Sequence, residues 1–220
     1  MPDFSSIILR FRDLSTAPGK TIAEHQKIIM QNGFVWWGWW NKEGERVPED
    51  AFRELNLLSK NNPMGIFLFD TGQNQLRRAK LAEIEWDSQL RRIGAPDRAA
   101  TPDYYGDSEY FAWFKLTEIE TVVQAEGELK KWSYVQVSDM FETRKSVFEA
   151  FYDKQASSFV ELRSQDRTIW FVRPLRSTDA LHEVRVYDQS KAAPRNYSEI
   201  VQAHSDLSPF FHPAMSRVSG

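Results

Sequence analysis

The chain predicts an α+β fold, in which short strands carry helices inserted between them and a smaller α/β annex follows. Three observations lead there. Apolar runs of strand length recur at 7–11, 34–40, 65–70 and 110–116. Two segments, one opening at Thr21 and one at Pro48, place apolar residues at helical spacing. Glycine, proline and asparagine fall between these segments as turn signals. At 220 residues the chain holds one large domain, or one domain with an annex.

The first run, Ile-Ile-Leu-Arg-Phe at 7–11, reads as a strand broken after Asp13 by Ser, Pro and Gly. Thr21-Ile22-Ala23-Glu24 has the spacing of a capping box, and Ile22, Ile28 and Ile29 give the helix its apolar stripe up to Asn32-Gly33. The strand at 34–40 follows. Pro48 sits at the start of a second helix whose apolar members are Ala51, Phe52, Leu55 and Leu58. Residues 65–70 and 76–86, joined by a polar turn, predict a hairpin. The stretch 87–106 has two glycines, two prolines and little periodicity, the mark of a long functional or mobile loop. After the strand at 110–116, residues 117–128 are acidic, with a boundary expected at Gly127. A strand is expected at 132–137, a helix or turn mixture at 140–153 and a short helix behind the capping-box spacing of Ser158 and Glu161. Residues 168–172 and 183–187 read as a hairpin, and 190–220 as a linker or tail. The expected domains are therefore 1–126, 127–189 and 190–220.

Composition narrows function. There is no cysteine, which removes disulfides, thiolate metal sites and cysteine nucleophiles. A formal charge of −3 argues against gripping nucleic acid by global electrostatics. Residues 1–6 lack the basic and apolar regions of a secretion signal, and no apolar run approaches a membrane span, so a cytoplasmic location without membrane contact is expected. What stands out is the eight tryptophans.

Four of them lie in Phe-Val-Trp-Trp-Gly-Trp-Trp at 34–40. On a strand, Trp36 and Trp40 point to one side, Trp37 and Trp39 to the other. Both faces are aromatic, and one core buries one face, so the second needs another layer, a partner or a ligand. Residues i and i+2 stand roughly 6.6 Å apart, close to twice the ~3.5 Å carbon contact distance. Trp37 and Trp39 are thus spaced to hold a planar ring, and Gly38 leaves bare backbone where a ligand or a neighbouring chain can approach. Ordinary core packing against the two helices is the competing reading for each ring. Asp70 at its strand end, Tyr104 and Tyr105 in the long loop, and Trp113 complete the candidate pocket. A carboxylate beside stacked rings can read a nucleobase edge, although an aspartate after a strand is also an ordinary turn residue.

Other chemistry is thinly supported. Gly19-Lys20-Thr21 looks like the close of a phosphate-binding loop, but Leu14 stands where that motif needs glycine. His25, His182, His204 and His212 are too dispersed for metal spacing, so no metal or other cofactor is expected, and His25 is expected in a solvated role. No serine sits in a nucleophile elbow. Basic residues in 76–98 are interleaved with acids, which predicts weak phosphate affinity there.

The order of elements resembles the small β-barrel modules of the PUA, EVE and YTH group over about residues 30–120. The resemblance is carried by the aromatic strand, a helix, Gly-Ile-Phe-Leu-Phe-Asp, the strand through Arg78-Ala79-Lys80-Leu81-Ala82, the Tyr104-Tyr105 loop and Trp113-Phe114-Lys115-Leu116. It implies a PUA-like mixed β-barrel and binding of nucleic acid or modified bases in an aromatic cage, with Trp36, Trp37, Trp39 and Trp113 as candidates. Residues 34–40 and 167–173 are also similar to N-terminal regions of bacterial multidomain proteins that precede a catalytic domain such as a calcineurin-like phosphoesterase. That second resemblance implies that residues 190–220 lead into a linker.

The expected function is a non-catalytic binding or sensor module that stacks a nucleotide, modified base or nucleic acid among Trp36, Trp37, Trp39, Trp40, Asp70, Tyr104, Tyr105 and Trp113, regulating a linked or partner effector. The alternatives are a protein-interaction or homo-oligomerisation face and a carboxylate-dependent hydrolase.

Overall fold

A computed structural model describes residues 4–13, 17–42, 44–60, 62–135 and 167–176. The expected elements at 140–153, 158–161 and 183–187, and the tail from 190, lie outside the described residues. Seven strands form one sheet: β1 (Ser6–Phe11), β2 (Val35–Gly38), β3 (Met64–Asp70), β4 (Gln75–Trp86), β5 (Ala112–Thr121), β6 (Trp132–Val135) and β7 (Ile169–Pro174). The described α-helices, α1 (Lys20–Asn32), α2 (Glu49–Ser59) and α3 (Ala125–Leu129), lie between them in sequence. The spatial order is β2-β5-β4-β3-β1-β7-β6. Among the described strands only the β1–β3 pair is parallel, so the sheet is mixed.

Alternation along the strands gives each side of the sheet its own core. Ile7 and Leu9 join Ile66 and Leu68 in the larger cluster, with Phe52, Phe114 and the tryptophans 36, 37, 39 and 113. Ile8, Phe67, Phe69, Trp170 and Val172 point the other way and pack with Leu129 of α3 and Trp132. Helix α1 packs on β2 and β5, and α2 on β4. Asn56 fixes the second contact by donating to the Ile84 carbonyl (2.8 Å) and accepting the Ile84 N–H (2.6 Å), just past the register shifts of β4.

Several boundaries differ from expectation for local reasons. Helix α1 begins at Lys20 behind Gly19, which is left-handed (φ 79°) and makes no side-chain cap; the predicted capping box does not form, and Thr21 lies inside the first turn. The turn is held instead by Asp13, whose carboxylate accepts the Gly19 N–H at 2.6 Å. The helix does end at a left-handed Gly33, whose N–H reaches the Ile29 carbonyl (2.8 Å). Strand β2 is shorter than the aromatic run and stops at Gly38, so Trp39 and Trp40 are not strand residues. Strand β5 extends to Thr121, absorbing half of the acidic stretch, and Gly127 lies within α3 rather than at a boundary. The strands β6 and β7 extend the same sheet, with β7 paired to both β1 and β6.

The long loop does structural work. Val35 and Trp37 face β5, which leaves the N–H groups of Trp36 and Gly38 on the open edge of β2. The Ala100 carbonyl accepts the first (2.8 Å) and the Tyr105 hydroxyl the second (3.2 Å), so segment 87–111 covers the edge. The sheet curls toward this strand: β1 and β2 are separated by three strands, yet the Phe11 and Trp37 rings meet edge to face at 5.1 Å. Among the described residues, no helix is long and apolar enough to cross a membrane.

Candidate functional site

The curl leaves a pocket of about 510 Å³ between the end of β1, the end of β2, the turn at 103–105 and the approach to β7. That volume lies within the range of small-ligand sites. Trp37, Trp39, Trp40, Tyr104 and Tyr105 line it, five of the eight residues the sequence singles out. Trp36, Asp70 and Trp113 do not.

The exclusions have clear causes. Trp36 is buried beside Phe34, with the Lys115 ammonium 5.6 Å from its ring. Trp113 is fully buried, donates its indole N–H to the Ile93 carbonyl (3.0 Å) and supports Tyr105 and Tyr110 from behind. Asp70 performs the turn role, accepting the N–H groups of Gly72 (2.8 Å) and Gln73 (3.2 Å) through one oxygen.

The lining rings are not equivalent. Trp37 is buried against the His25 imidazole (centroids 4.4 Å) and Phe11. Trp39 is buried against Phe52 (5.6 Å) and donates its indole N–H to the Thr168 hydroxyl (2.9 Å). Protein rings already pack on both, so they form pocket wall and core at once. Trp40 alone among the four is exposed (57%), with the Lys42 ammonium 5.6 Å above its ring. The bare backbone at Gly38 is occupied by the chain itself: a Cβ there would stand 2.9 Å from Tyr110 and 3.1 Å from Tyr105. Apart from Trp40, both sides of the aromatic run are covered from within the molecule, at Gly38 by the long loop and at Trp37 by helix α1.

Sequence reasoning missed several members. Arg10, Arg12 and Lys42 line the pocket, together with the hydroxyls of Thr21, Thr71, Ser108 and Thr168 and with Tyr110. No sequence signal marks Arg10 and Arg12 for the pocket, since alternation puts Arg10 on the side of Ile8, away from Leu9 and Phe11, and both sides reach the pocket only at the strand end. Burial lowers the Arg10 guanidinium from its ordinary pKa, the nearby Glu45 charge opposing and the Arg12 charge adding to the shift.

Glu45 and His25 stand behind the lining. Glu45 is buried, and its carboxylate accepts the Thr168 N–H (2.7 Å), the Thr168 hydroxyl (2.7 Å), the Lys42 N–H (2.9 Å) and the Ile169 N–H (3.3 Å). Burial pushes its pKa up, against the pull of those donors. Thr168 therefore relays between Trp39, from which its oxygen accepts, and Glu45, to which it donates. His25, expected in solvent, is fully buried; its Nδ1 lies 2.8 Å from the Thr21 carbonyl and Nε2 has no partner among the described residues. Desolvation lowers its pKa to about 4, only partly offset by the Thr21 carbonyl, so the ring is neutral at physiological pH. Burial likewise raises the phenols of Tyr104, Tyr105 and Tyr110, which remain hydrogen-bonding groups rather than phenolates. Among the described residues no group of three or more His, Cys, Asp or Glu is placed to hold a metal ion.

The arrangement can bind a flat, aromatic-sized group among rings and offer hydroxyls and cations to its polar edge. A family model, Pua-like, matches residues 7–183. No curated protein and no solved structure matches the chain. With the model spanning well over half of the sequence and the mixed seven-stranded sheet lying within the match, the chain belongs to the Pua-like family.

Proposed function

We propose that this chain is a binding module whose aromatic pocket takes a planar base: a free nucleobase derivative, or a base in a nucleic acid. The observation that carries the reading is the pocket itself, about 510 Å³ bounded by Trp37, Trp39, Trp40, Tyr104 and Tyr105. Membership of the Pua-like family supports a ligand-binding or nucleic-acid-binding role. A base placed against such rings gains roughly 1–3 kcal/mol per stacking contact. Trp40 is the ring best placed to close over a ligand, because it lines the pocket and is the exposed member of the set.

The test is titration of the chain with nucleosides, nucleotides and short single-stranded oligonucleotides, read by tryptophan fluorescence. Trp40→Ala is expected to weaken binding at least tenfold while leaving the circular dichroism spectrum unchanged. A wild-type chain that responds to none of these probes would overturn the reading.

The exposure of Trp40 also favours a second reading, docking of a protein partner or a second copy through the pocket mouth. Sedimentation velocity separates the two. A dimer that Trp40→Ala dissolves supports the interface, whereas a monomer that binds nucleosides supports the base pocket.

A further inference from the structure

The charge of the pocket differs from the charge of the chain. The whole sequence is net negative, with 31 acidic against 28 basic side chains, yet among the described residues the pocket lining holds Arg10, Arg12 and Lys42 and no Asp or Glu. Arg10 and Arg12 are two positions apart at the end of β1; burial disfavours the Arg10 cation, the Glu45 charge opposes that and the Arg12 charge adds to it, while the Arg10 guanidinium donates to the Arg167 carbonyl (3.3 Å). Like charges converging on a partly desolvated site are stabilised by an anion between them. Arginine presents a planar fork suited to phosphate oxygens, and lysine a point charge. Lys42 is carried to the same mouth by the loop after β2 and rests over Trp40, the exposed ring. Two carboxylates act on the site without lining it: Glu45, whose charge favours the Arg10 cation and which accepts from four donors, and Asp13, which accepts the Gly19 N–H and whose charge acts on Tyr104. Arg12 is exposed and forms no ion pair among the described residues.

We infer that the pocket binds a phosphorylated ligand, with the base among the rings and the phosphate held at the mouth by Arg10, Arg12 and Lys42. The inference rests on the planar-base reading and adds the charged group. Its two sources are a free nucleoside monophosphate and a single nucleotide of a strand turned out into the pocket, which share this chemistry.

The experiment is isothermal titration of the full chain with the four ribonucleoside 5′-monophosphates, the four nucleosides, and eight-nucleotide single strands of RNA and DNA, at two salt concentrations. At least one monophosphate is expected to bind at least tenfold more tightly than its nucleoside. Arg12→Ala and Lys42→Ala, checked for an unchanged fold, should each erase most of that preference and retain nucleoside binding. Each should also flatten the dependence of log K on log salt by about one charge's worth for a strand. Monophosphates tighter than the strands identify the free nucleotide as the source, and strands tighter than the monophosphates identify the turned-out residue. Nucleosides that bind as tightly as their monophosphates, with no loss in Arg12→Ala, overturn the phosphate site and leave the base pocket standing. Failure of every probe overturns both.

Discussion

Glu45 and Thr168 are 123 positions apart in sequence and joined by two 2.7 Å hydrogen bonds, from the threonine N–H and from its hydroxyl to the two oxygens of one buried carboxylate. The pair ties the loop after β2 to the start of β7, and through the Trp39 indole it ties the pocket wall to both. Glu45→Gln keeps the shape but replaces one acceptor with an amide that donates toward groups that already donate. The expected loss is about 1–3 kcal/mol, read as a lower urea midpoint with an unchanged slope.

Glu45 also predicts a pH signature. Its folded pKa is raised above the unfolded value, chiefly by burial, so the native state holds the proton more tightly. Its contribution to stability is full below the unfolded glutamate pKa and is lost as pH rises through the folded one. Glu45→Gln should remove that downward slope from a plot of unfolding free energy against pH. A variant with the same slope as wild type would show that another group is responsible.

His25 acts in the opposite direction. Burial lowers it from 6.5 to about 4, so the folded state resists protonation. Its contribution is present above pH 6.5 and is lost as pH falls toward 4, a change on the order of 3 kcal/mol at about 1.36 kcal/mol per pKa unit. His25→Phe keeps a ring against Trp37 and should flatten stability between those two pH values, as measured by denaturant titration at several pH values.

Gly38 is needed for space. A Cβ would enter Tyr110 and Tyr105 at 2.9 and 3.1 Å, where the Tyr105 hydroxyl also accepts the Gly38 N–H. Gly38→Ala is expected to displace both rings and cost about 1–3 kcal/mol. Calorimetry would register this as a lower Tm, with weaker pocket binding alongside. An unchanged Tm would mean that the tyrosines move aside freely.

The tryptophans separate by burial. Trp37→Ala and Trp39→Ala open the core and should cost about 3–5 kcal/mol each. Trp40→Ala removes an exposed ring and should stay within about 0.5 kcal/mol. Denaturation curves of the three variants give the comparison directly.

Much of the sheet was legible as a string of residues, because alternation and apolar runs are local. The runs at 7–11 and 65–70, the hairpin that follows, and the helices before Gly33 and after Pro48 all mark elements of the structure. Five residues that are conspicuous in the sequence, Trp37, Trp39, Trp40, Tyr104 and Tyr105, line one pocket. Sequence could not rank them. Trp36 and Trp40 differ by four positions, yet one is buried beneath Phe34 and Lys115 and the other is open to solvent.

That difference arises from where strand β2 ends and what lies across from it, which are long-range facts. The same holds for Glu45 meeting Thr168, for Tyr105 filling the space at Gly38, and for Arg10 and Arg12 joining Lys42 at one mouth. Local periodicity determines which residues can form a strand and which side each one takes. Only the closing of the curled sheet decides which sides meet, because those contacts join segments 30 to more than 120 residues apart.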